Sequence, residues 1–283
     1  MHDCLINGEI SHSVNPSDRG LNYGDGLFET IRVTAGKPRF WQGHMDRLET
    51  GCQRLGIERP NQAVLLREVQ TVIAGNPECV VKIVVTRGVP GPSAVRGYAP
   101  PKNCSVTRIV SAHLLPSDFH TTIEGIGDPN DQSHSRAGLR LRICSLRLAN
   151  QPVLAGIKHL NRLEQVMARA EWNDPEISEG VLLDENDHLV CGTASNIFLV
   201  SAGRMLTPRL DRCGVRGVMR SEILKLFSAR CEQRRITLDM VPEADEVFLC
   251  NSVRGIMPVH RIDDWRYNLG PVTAEVREWL ERL

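Results

Sequence analysis

The chain has 283 residues, 41% hydrophobic and 24% charged, and its 34 basic side chains balance 34 acidic ones. This is ordinary globular composition, long enough for two modest domains, without the basic excess that nucleic acid or an anionic membrane surface would call for. Nine scattered cysteines, an odd number with no C-x-x-C pair, support neither a zinc site nor a disulfide framework and predict a reducing, cytoplasmic setting.

No metal is expected. Met1 to Gly8 lacks a charged n-region and a long apolar core, so no signal peptide is expected either. No apolar run is long enough to span a membrane.

Residues 4–14 read as two short strands around a tight turn at Asn7-Gly8. Asp18-Arg19-Gly20-Leu21-Asn22-Tyr23-Gly24-Asp25-Gly26-Leu27-Phe28-Glu29-Thr30 follows, with three glycines in seven residues. That density means tight backbone or close approach to a ligand, and equally suits a plain connection between strands. The stretch runs into a strand at Phe28–Val33 and a turn at Ala35-Gly36-Lys37-Pro38. Met45, Leu48, Cys52 and Leu55 form one helical stripe over 41–56, with Arg47 and Arg54 off it. A second helix is predicted over 61–74. Val80–Thr86 is a buried-type strand, and 105–113 is the next. Between them, Arg87 to Tyr98 is a Pro- and Gly-rich loop presenting Arg87, Arg96 and Tyr98, which suits an anionic, ring-bearing ligand or a solvated loop. At 114–138 the composition shifts to Ser, Asp, Asn, Gly and His, read as an inter-domain linker with a mobile loop.

The second half opens on a strand at Leu139–Leu148. Lys158 then follows directly on an apolar run that opens on Gly156. A helical pattern of Leu160, Leu163, Met167 and Ala170 comes next, which puts Lys158 at a loop-to-helix junction with its amine away from the packed face. A lysine reaching into a desolvated pocket loses preference for charge and becomes a nucleophile able to form a Schiff base with a carbonyl cofactor. The local pattern also fits an ordinary solvated lysine. A meander of short strands covers 180–207. Gly217 precedes a helix through about Arg230, carrying Met219, Ile223, Leu226 and Phe227; a glycine there leaves backbone N–H groups as a phosphate cradle, or as an ordinary helix entry. Glu246 to Ser252 is a strand ending in small polar residues, and Val272–Arg282 a closing amphipathic helix.

Four pieces stand in a fixed order: Gly-Asp-Gly-Leu-Phe-Glu-Thr at 24–30, His44-Met45-Asp46-Arg47-Leu48, the Lys158 segment, and Gly217-Val218-Met219-Arg220 followed by Asn251-Ser252. Together they resemble the class IV (fold-type IV) pyridoxal-phosphate enzymes, a group that contains branched-chain and D-amino-acid aminotransferases and aminodeoxychorismate lyases. Leu154-Ala155-Gly156-Ile157-Lys158-His159-Leu160-Asn161-Arg162-Leu163-Glu164-Gln165-Val166, and also Arg96-Gly97-Tyr98, resemble the lyase branch. The resemblance covers nearly the whole chain.

The resemblance implies an α/β (α+β) fold of two domains, 1–113 and 139–283, with the active site in the cleft between them, pyridoxal 5'-phosphate (PLP) as cofactor, and a homodimer. By the same resemblance, Lys158 would hold the cofactor and Arg47 would pair with its phosphate. The backbone at Gly217, Val218 and Met219 would cradle that phosphate, with Asn251 and Ser252 completing the site. Val215, Ser195 and Asn196 would pack around the ring, and Phe28, Arg96 and Tyr98 would meet substrate. One position departs from the family: the glutamate expected five residues before Asn196, which pairs with the pyridine nitrogen, is Cys191 here. A thiol is a poor substitute for a carboxylate in that role. The implied reaction converts 4-amino-4-deoxychorismate to 4-aminobenzoate and pyruvate, with aromatisation supplying driving force that offsets a weaker electron sink. The alternatives are a class IV transaminase, an inactive cofactor-binding relative, and an α/β protein with no cofactor.

Overall fold

The computed structural model describes residues 4–91, 97–101, 104–115 and 138–283. By contact they fall into two units, Met1–Leu115 with Ile157–Asn161, and Pro116–Gly156 with Arg162–Leu283.

The first unit holds strands β1 (Cys4–Ile6), β2 (Glu9–Ile10), β3 (Gly26–Thr34), β4 (Lys37–Pro38), β5 (Cys79–Thr86) and β6 (Thr107–Leu114), and helices α1 (Arg19–Tyr23), α2 (Trp41–Leu55) and α3 (Gln62–Val72). The strands form one sheet, order β2-β1-β6-β5-β3-β4, with every neighbouring pair antiparallel. Period-two alternation gives the sheet two unlike faces. On β3, Leu27, Glu29, Ile31 and Val33 are buried, while Phe28, Thr30 and Arg32 face the other way and are half-buried. β5 continues both faces: Val81, Ile83 and Val85 are buried, and Lys82, opposite Thr30, is exposed. Helices α2 and α3 cover the buried face with Met45, Leu48 and Cys52 and with Leu65, Val69 and Val72. Each such side chain contributes about 1.5–3 kcal/mol.

The second unit holds a nine-stranded sheet. Its strands are β7 (Leu139–Leu148), β8 (Glu179–Asp184), β9 (Leu189–Gly192), β10 (Asn196–Ser201), β11 (Arg204–Pro208), β12 (Cys231–Arg234), β13 (Glu246–Asn251), β14 (Gly255–Ile262) and β15 (Trp265–Arg266), in the order β12-β11-β10-β13-β14-β7-β8-β9 with β15 on β14. The sheet is mixed: β11 with β12, β14 with β7, and β7 with β8 run parallel. Its core includes Leu141, Val181, Leu183, Ile197, Leu199, Val247, Leu249 and Val259. On the opposite face Phe198 and Phe248, paired across β10 and β13, stack at 4.8 Å. Helices α4 (Leu163–Arg169), α5 (Val218–Leu226) and α6 (Pro271–Glu281) complete the unit. The buried Glu246 caps α6, accepting from the N–H groups of Val272 and Thr273.

Four expectations change. The stretch at 18–30 contains a helix, α1, capped by the Asp18 side chain on the Gly20 N–H and closed by Gly24 at φ 64°. Lys158 does not sit at a helix start: α4 begins at Leu163, and 158–160 are extended beside β3. The stripe read as packed is exposed, Leu163 at 75% and Met167 at 62%, whereas Ala168 is buried. The helix after Gly217 ends at Leu226, with a single 3-10 turn at Ser228–Arg230 behind it. The stretch expected as linker, 114–138, lies outside the described residues except at its two ends.

Candidate active site

The lysine segment is held by the start of β3. The Phe28 N–H donates to the Lys158 carbonyl at 2.9 Å and the Leu160 N–H to the Gly26 carbonyl at 3.0 Å, which makes an antiparallel bridge between Leu27 and His159. Gly26 permits this approach, because a Cβ there would meet the Val85 carbonyl oxygen at 2.6 Å and Leu160 Cδ1 at 2.8 Å. With its backbone fixed, Lys158 lays its amine over the Phe28 ring, Nζ 4.3 Å from the centroid. Lys82 Nζ is 5.6 Å from the same ring. Two amines thus flank one aromatic ring on the open face of the sheet. Lys82 was not singled out from sequence, because a lone lysine in a valine-rich strand reads as a solvated edge.

One residue along β3, the opposite face carries Glu29. Its carboxylate accepts from Arg47 Nε at 2.8 Å and again from Arg47 Nη2, and lies 2.6 Å from His44 Nδ1. His44 and Arg47 are one turn apart on α2, so a single carboxylate meets both. Burial pushes the Glu29 carboxyl up, but Arg47 and His44 outweigh it and hold the group at about 2. Burial also lowers His44, with the charges of Arg47 and Lys158 adding to that and Glu29 opposing it. His44 Nε2 is buried with no hydrogen-bond partner among the described residues. The Glu29 carboxylate takes the Nε and Nη2 side of the Arg47 guanidinium and fixes its plane. Neither Glu29 nor His44 stood out from sequence, although both lie in the quoted motifs.

The second unit gathers three turns. Asn196, at the start of β10, donates from Nδ2 to the Val215 carbonyl at 2.9 Å and accepts from the Gly217 N–H at 3.0 Å. A Cβ on Gly217 would sit 2.1 Å from Asn196 Oδ1, so only glycine allows this clasp. Gly217 is the N-cap of α5 and has no side chain to cap it, which leaves the Val218 end of the helix as backbone N–H groups suited to an anion. Val218 and Met219 are buried. Asn251 Nδ2 reaches the Ala194 carbonyl at 3.4 Å, and its Oδ1 closes the 251–254 turn by accepting from Val253 and Arg254. Ser195 and Asn196 are buried, and Ser252 is half-buried. Glu179, also absent from the sequence reading, pins the turn after β9 through the Thr193 N–H at 3.0 Å and the Ser195 hydroxyl at 3.3 Å.

Cys191 lies on β9 opposite Leu182, packed with Cys144, Leu148, Trp172, Val190 and Leu210. Burial pushes its thiol far above the usual range; Cys213 and Glu179 add to that, and Arg162 opposes it. Position 191 therefore presents a neutral S–H and not an anion. Asp184 and Asp187 do not replace it. Asp184 caps its own turn by accepting from the N–H groups of Asn186 and His188, and Asp187 pairs with Arg147 at 2.7 Å. Within the second unit, the backbone N–H groups at the start of α5 suit the phosphate of PLP, and position 191 offers nothing anionic for its ring nitrogen.

Tyr98 is 86% exposed and meets the edge of Tyr23 at 5.6 Å. Arg96 lies outside the described residues. Among the described residues no group of His, Cys, Asp and Glu is placed to hold a metal ion, and no helix is long and apolar enough to cross a membrane.

The family model described as Amino-transferase class IV matches residues 26–262. An aminodeoxychorismate lyase of Vibrio harveyi is 33% identical over 260 residues, covering 91% of this chain and 90% of that protein. The crystal structure of 4-amino-4-deoxychorismate lyase from Pseudomonas aeruginosa matches with a TM-score of 0.87 and 41% identity, covering 99% of this chain and 98% of that one. Branched-chain amino acid aminotransferase from Escherichia coli, at 22% identity, shares the fold with a TM-score of 0.82 over 100% of this chain and 94% of its own. With a family match over most of its length and lyase relatives along nearly all of it, the chain belongs to the class IV aminotransferase family.

Proposed function

We propose that the chain is a PLP-dependent lyase that converts 4-amino-4-deoxychorismate to 4-aminobenzoate and pyruvate. The observation that carries this reading is Lys158, fixed by the backbone ladder to β3 with its amine over Phe28, in a chain 41% identical to a solved lyase. In this reading Arg47 and the backbone at Gly217, Val218 and Met219 bind the cofactor phosphate, with Asn251 and Ser252 beside them. Val215, Ser195 and Asn196 surround the ring. Bound PLP supplies an electron sink for breaking bonds at the carbon that carries the substrate amine.

Lys158 removes the proton from that carbon once its amine is neutral. The enolpyruvyl oxygen on the adjacent carbon then leaves, and pyruvate is released as the ring becomes aromatic. Because aromatisation favours this step, the neutral thiol at Cys191 is tolerated. Lys82, Arg96 and Tyr98 are assigned to the substrate, which carries one carboxylate on its cyclohexadiene ring and a second on the enolpyruvyl side chain; Phe28 is assigned to the ring.

The exposed apolar face of α4, with Leu163, Val166 and Met167, supports a homodimer, since such a stripe is ordinarily covered. All nine cysteines are free thiols, which fits a reducing cytoplasm. The test is pyruvate release from enzymatically made aminodeoxychorismate, with amino transfer to 2-oxoglutarate as the outcome that favours a transaminase instead.

A further inference from the structure

Arg220, in the first turn of α5, is a buried cation that meets no carboxylate among the described residues. It is 2% exposed, and its hydrogen bonds all go to neutral acceptors: Nε donates to Thr207 Oγ1 at 3.2 Å, and Nη2 to the Pro208 carbonyl and to Gln233 Oε1, both at 2.9 Å. Arg19, which is similarly buried, faces Asp25 at 2.8 Å. The first turn of α5 holds no acidic residue. Burial pushes the thiols of Cys231 and Cys250, the acidic groups beside Arg220, up to about 11 and about 12, so both are neutral at pH 7. Burial draws the guanidinium itself down only to about 10, with those two cysteines opposing and Arg216 adding to the fall, so it stays charged. A buried charge is costly unless an opposite charge meets it. A cation in the first turn of a helix also opposes the helix dipole. An anion docked at that end of α5 offsets both costs.

The same side chain belongs to a circuit of hydrogen bonds. Thr207 Oγ1, on β11, accepts from Arg220 and donates to the Ile197 carbonyl at 2.9 Å. Asn196, the neighbour of Ile197 on β10, accepts from the Gly217 N–H at 3.0 Å. The start of α5 is therefore tied to β10 twice, at Gly217 through Asn196 and at Arg220 through Thr207. Between the two ties lie Val218 and Met219, both buried, whose N–H groups have no acceptor within the helix.

We propose that Arg220 is a positioning residue for the cofactor phosphate: it holds the first turn of α5 against β10 and β11 and places there a buried positive charge for the phosphate to offset. The inference rests on the cofactor part of the reading above. Arg220 acts through the field in a dry interior and through the pose of the helix start, without touching the cofactor. Its effect is therefore specific to the phosphate, and the pyridine ring and its aldehyde gain nothing from it.

The experiment titrates the full chain with PLP and, separately, with pyridoxal, which lacks the phosphate, following absorbance, and records thermal unfolding alongside. The chains are wild type, Arg220→Gln, Arg220→Lys and Gln233→Glu. In Arg220→Gln the preference for PLP over pyridoxal is expected to fall at least about tenfold, with pyridoxal affinity within about threefold of wild type. Arg220→Lys keeps the charge and loses the fork, so its preference is expected to stay within about threefold even where its thermal midpoint drops. Gln233→Glu supplies the carboxylate that Arg220 lacks. Its preference is expected to fall at least about threefold with no loss of thermal stability, the smaller effect reflecting the exposure of Gln233 to screening water. Equal losses for PLP and pyridoxal in Arg220→Gln mark Arg220 as merely structural and overturn the inference. A loss in Arg220→Lys as large as in Arg220→Gln overturns it too, as does an unchanged preference in Gln233→Glu, which decides the matter if Arg220→Gln does not fold. A wild type that binds PLP no better than pyridoxal overturns the cofactor reading and the inference with it.

Discussion

Arg47 and Glu29 form a two-pronged ion pair inside the first unit, with Arg47 donating from Nε at 2.8 Å and from Nη2, and with the Glu29 side chain 1% exposed. This pair links a strand to a helix and fixes the plane of the guanidinium before any anion arrives.

Removing the carboxylate leaves Arg47 and His44 partly desolvated without their anion. Glu29→Gln is expected to cost about 3 kcal/mol of stability, the range for breaking a buried pair, and to weaken PLP binding at least tenfold. Thermal unfolding and an absorbance titration with PLP check the two effects separately; an unchanged affinity would detach Glu29 from the phosphate end.

The same group sets a pH dependence. The Glu29 carboxyl is held at about 2 against an ordinary 4.5. A depressed carboxyl contributes stability above its unfolded value, because the unfolded chain binds the extra proton, and loses that stability as pH falls through the folded value. Wild type is therefore expected to lose stability from about pH 4.5 down towards 2, and Glu29→Gln to lose less over that window. Denaturant titrations at stepped pH give the comparison, and parallel curves would refute it.

Asn196 clasps the 215–217 loop with both ends of its amide. Asn196→Ala leaves the Gly217 N–H and the Val215 carbonyl without these partners, at about 1–3 kcal/mol. PLP affinity should fall along with stability, whereas Asn196→Asp, which keeps the acceptor for Gly217, should retain more of both. Equal losses in the two variants would mean that the clasp to Gly217 is not what matters.

Cys191 is buried among apolar and sulfur side chains. If aromatisation supplies the driving force, Cys191→Glu changes pyruvate release by no more than about tenfold, below the roughly hundredfold or more that a single general acid–base group supplies. A gain of several hundredfold would show that the native site is crippled at the ring nitrogen. Native Cys191 is also expected to resist alkylation at pH 8, checked by mass spectrometry, since burial keeps it a thiol.

The strands and long helices were legible in sequence because their periodicity is strong: β3 and β5 alternate and α2 carries one stripe. Lys158 and Arg47 stood out through motif residues. What sequence did not show depends on contacts far apart in the chain. The apolar spacing puts Leu160 first in a helix, but its N–H donates to the carbonyl of Gly26, 134 residues earlier, and the helix starts later. Leu163 and Met167 have helical spacing yet are exposed, since spacing gives a face and not what covers it. Lys82 looked like one solvated lysine until register placed it across from Thr30 and beside Phe28. Glu29, Arg19 and Glu179 are acids and bases whose partners lie on other elements, so nothing local marks them.

The central claim is that the amine of Lys158 carries a PLP-dependent elimination. The most direct measurement is pyruvate formed from enzymatically made aminodeoxychorismate by the PLP-loaded chain, compared with Lys158→Ala. The account expects stoichiometric pyruvate and 4-aminobenzoate from wild type, a loss of at least about a thousandfold in the variant, and no dependence on added 2-oxo acid. Amino transfer to 2-oxoglutarate without pyruvate, or undiminished pyruvate release from Lys158→Ala, would contradict it.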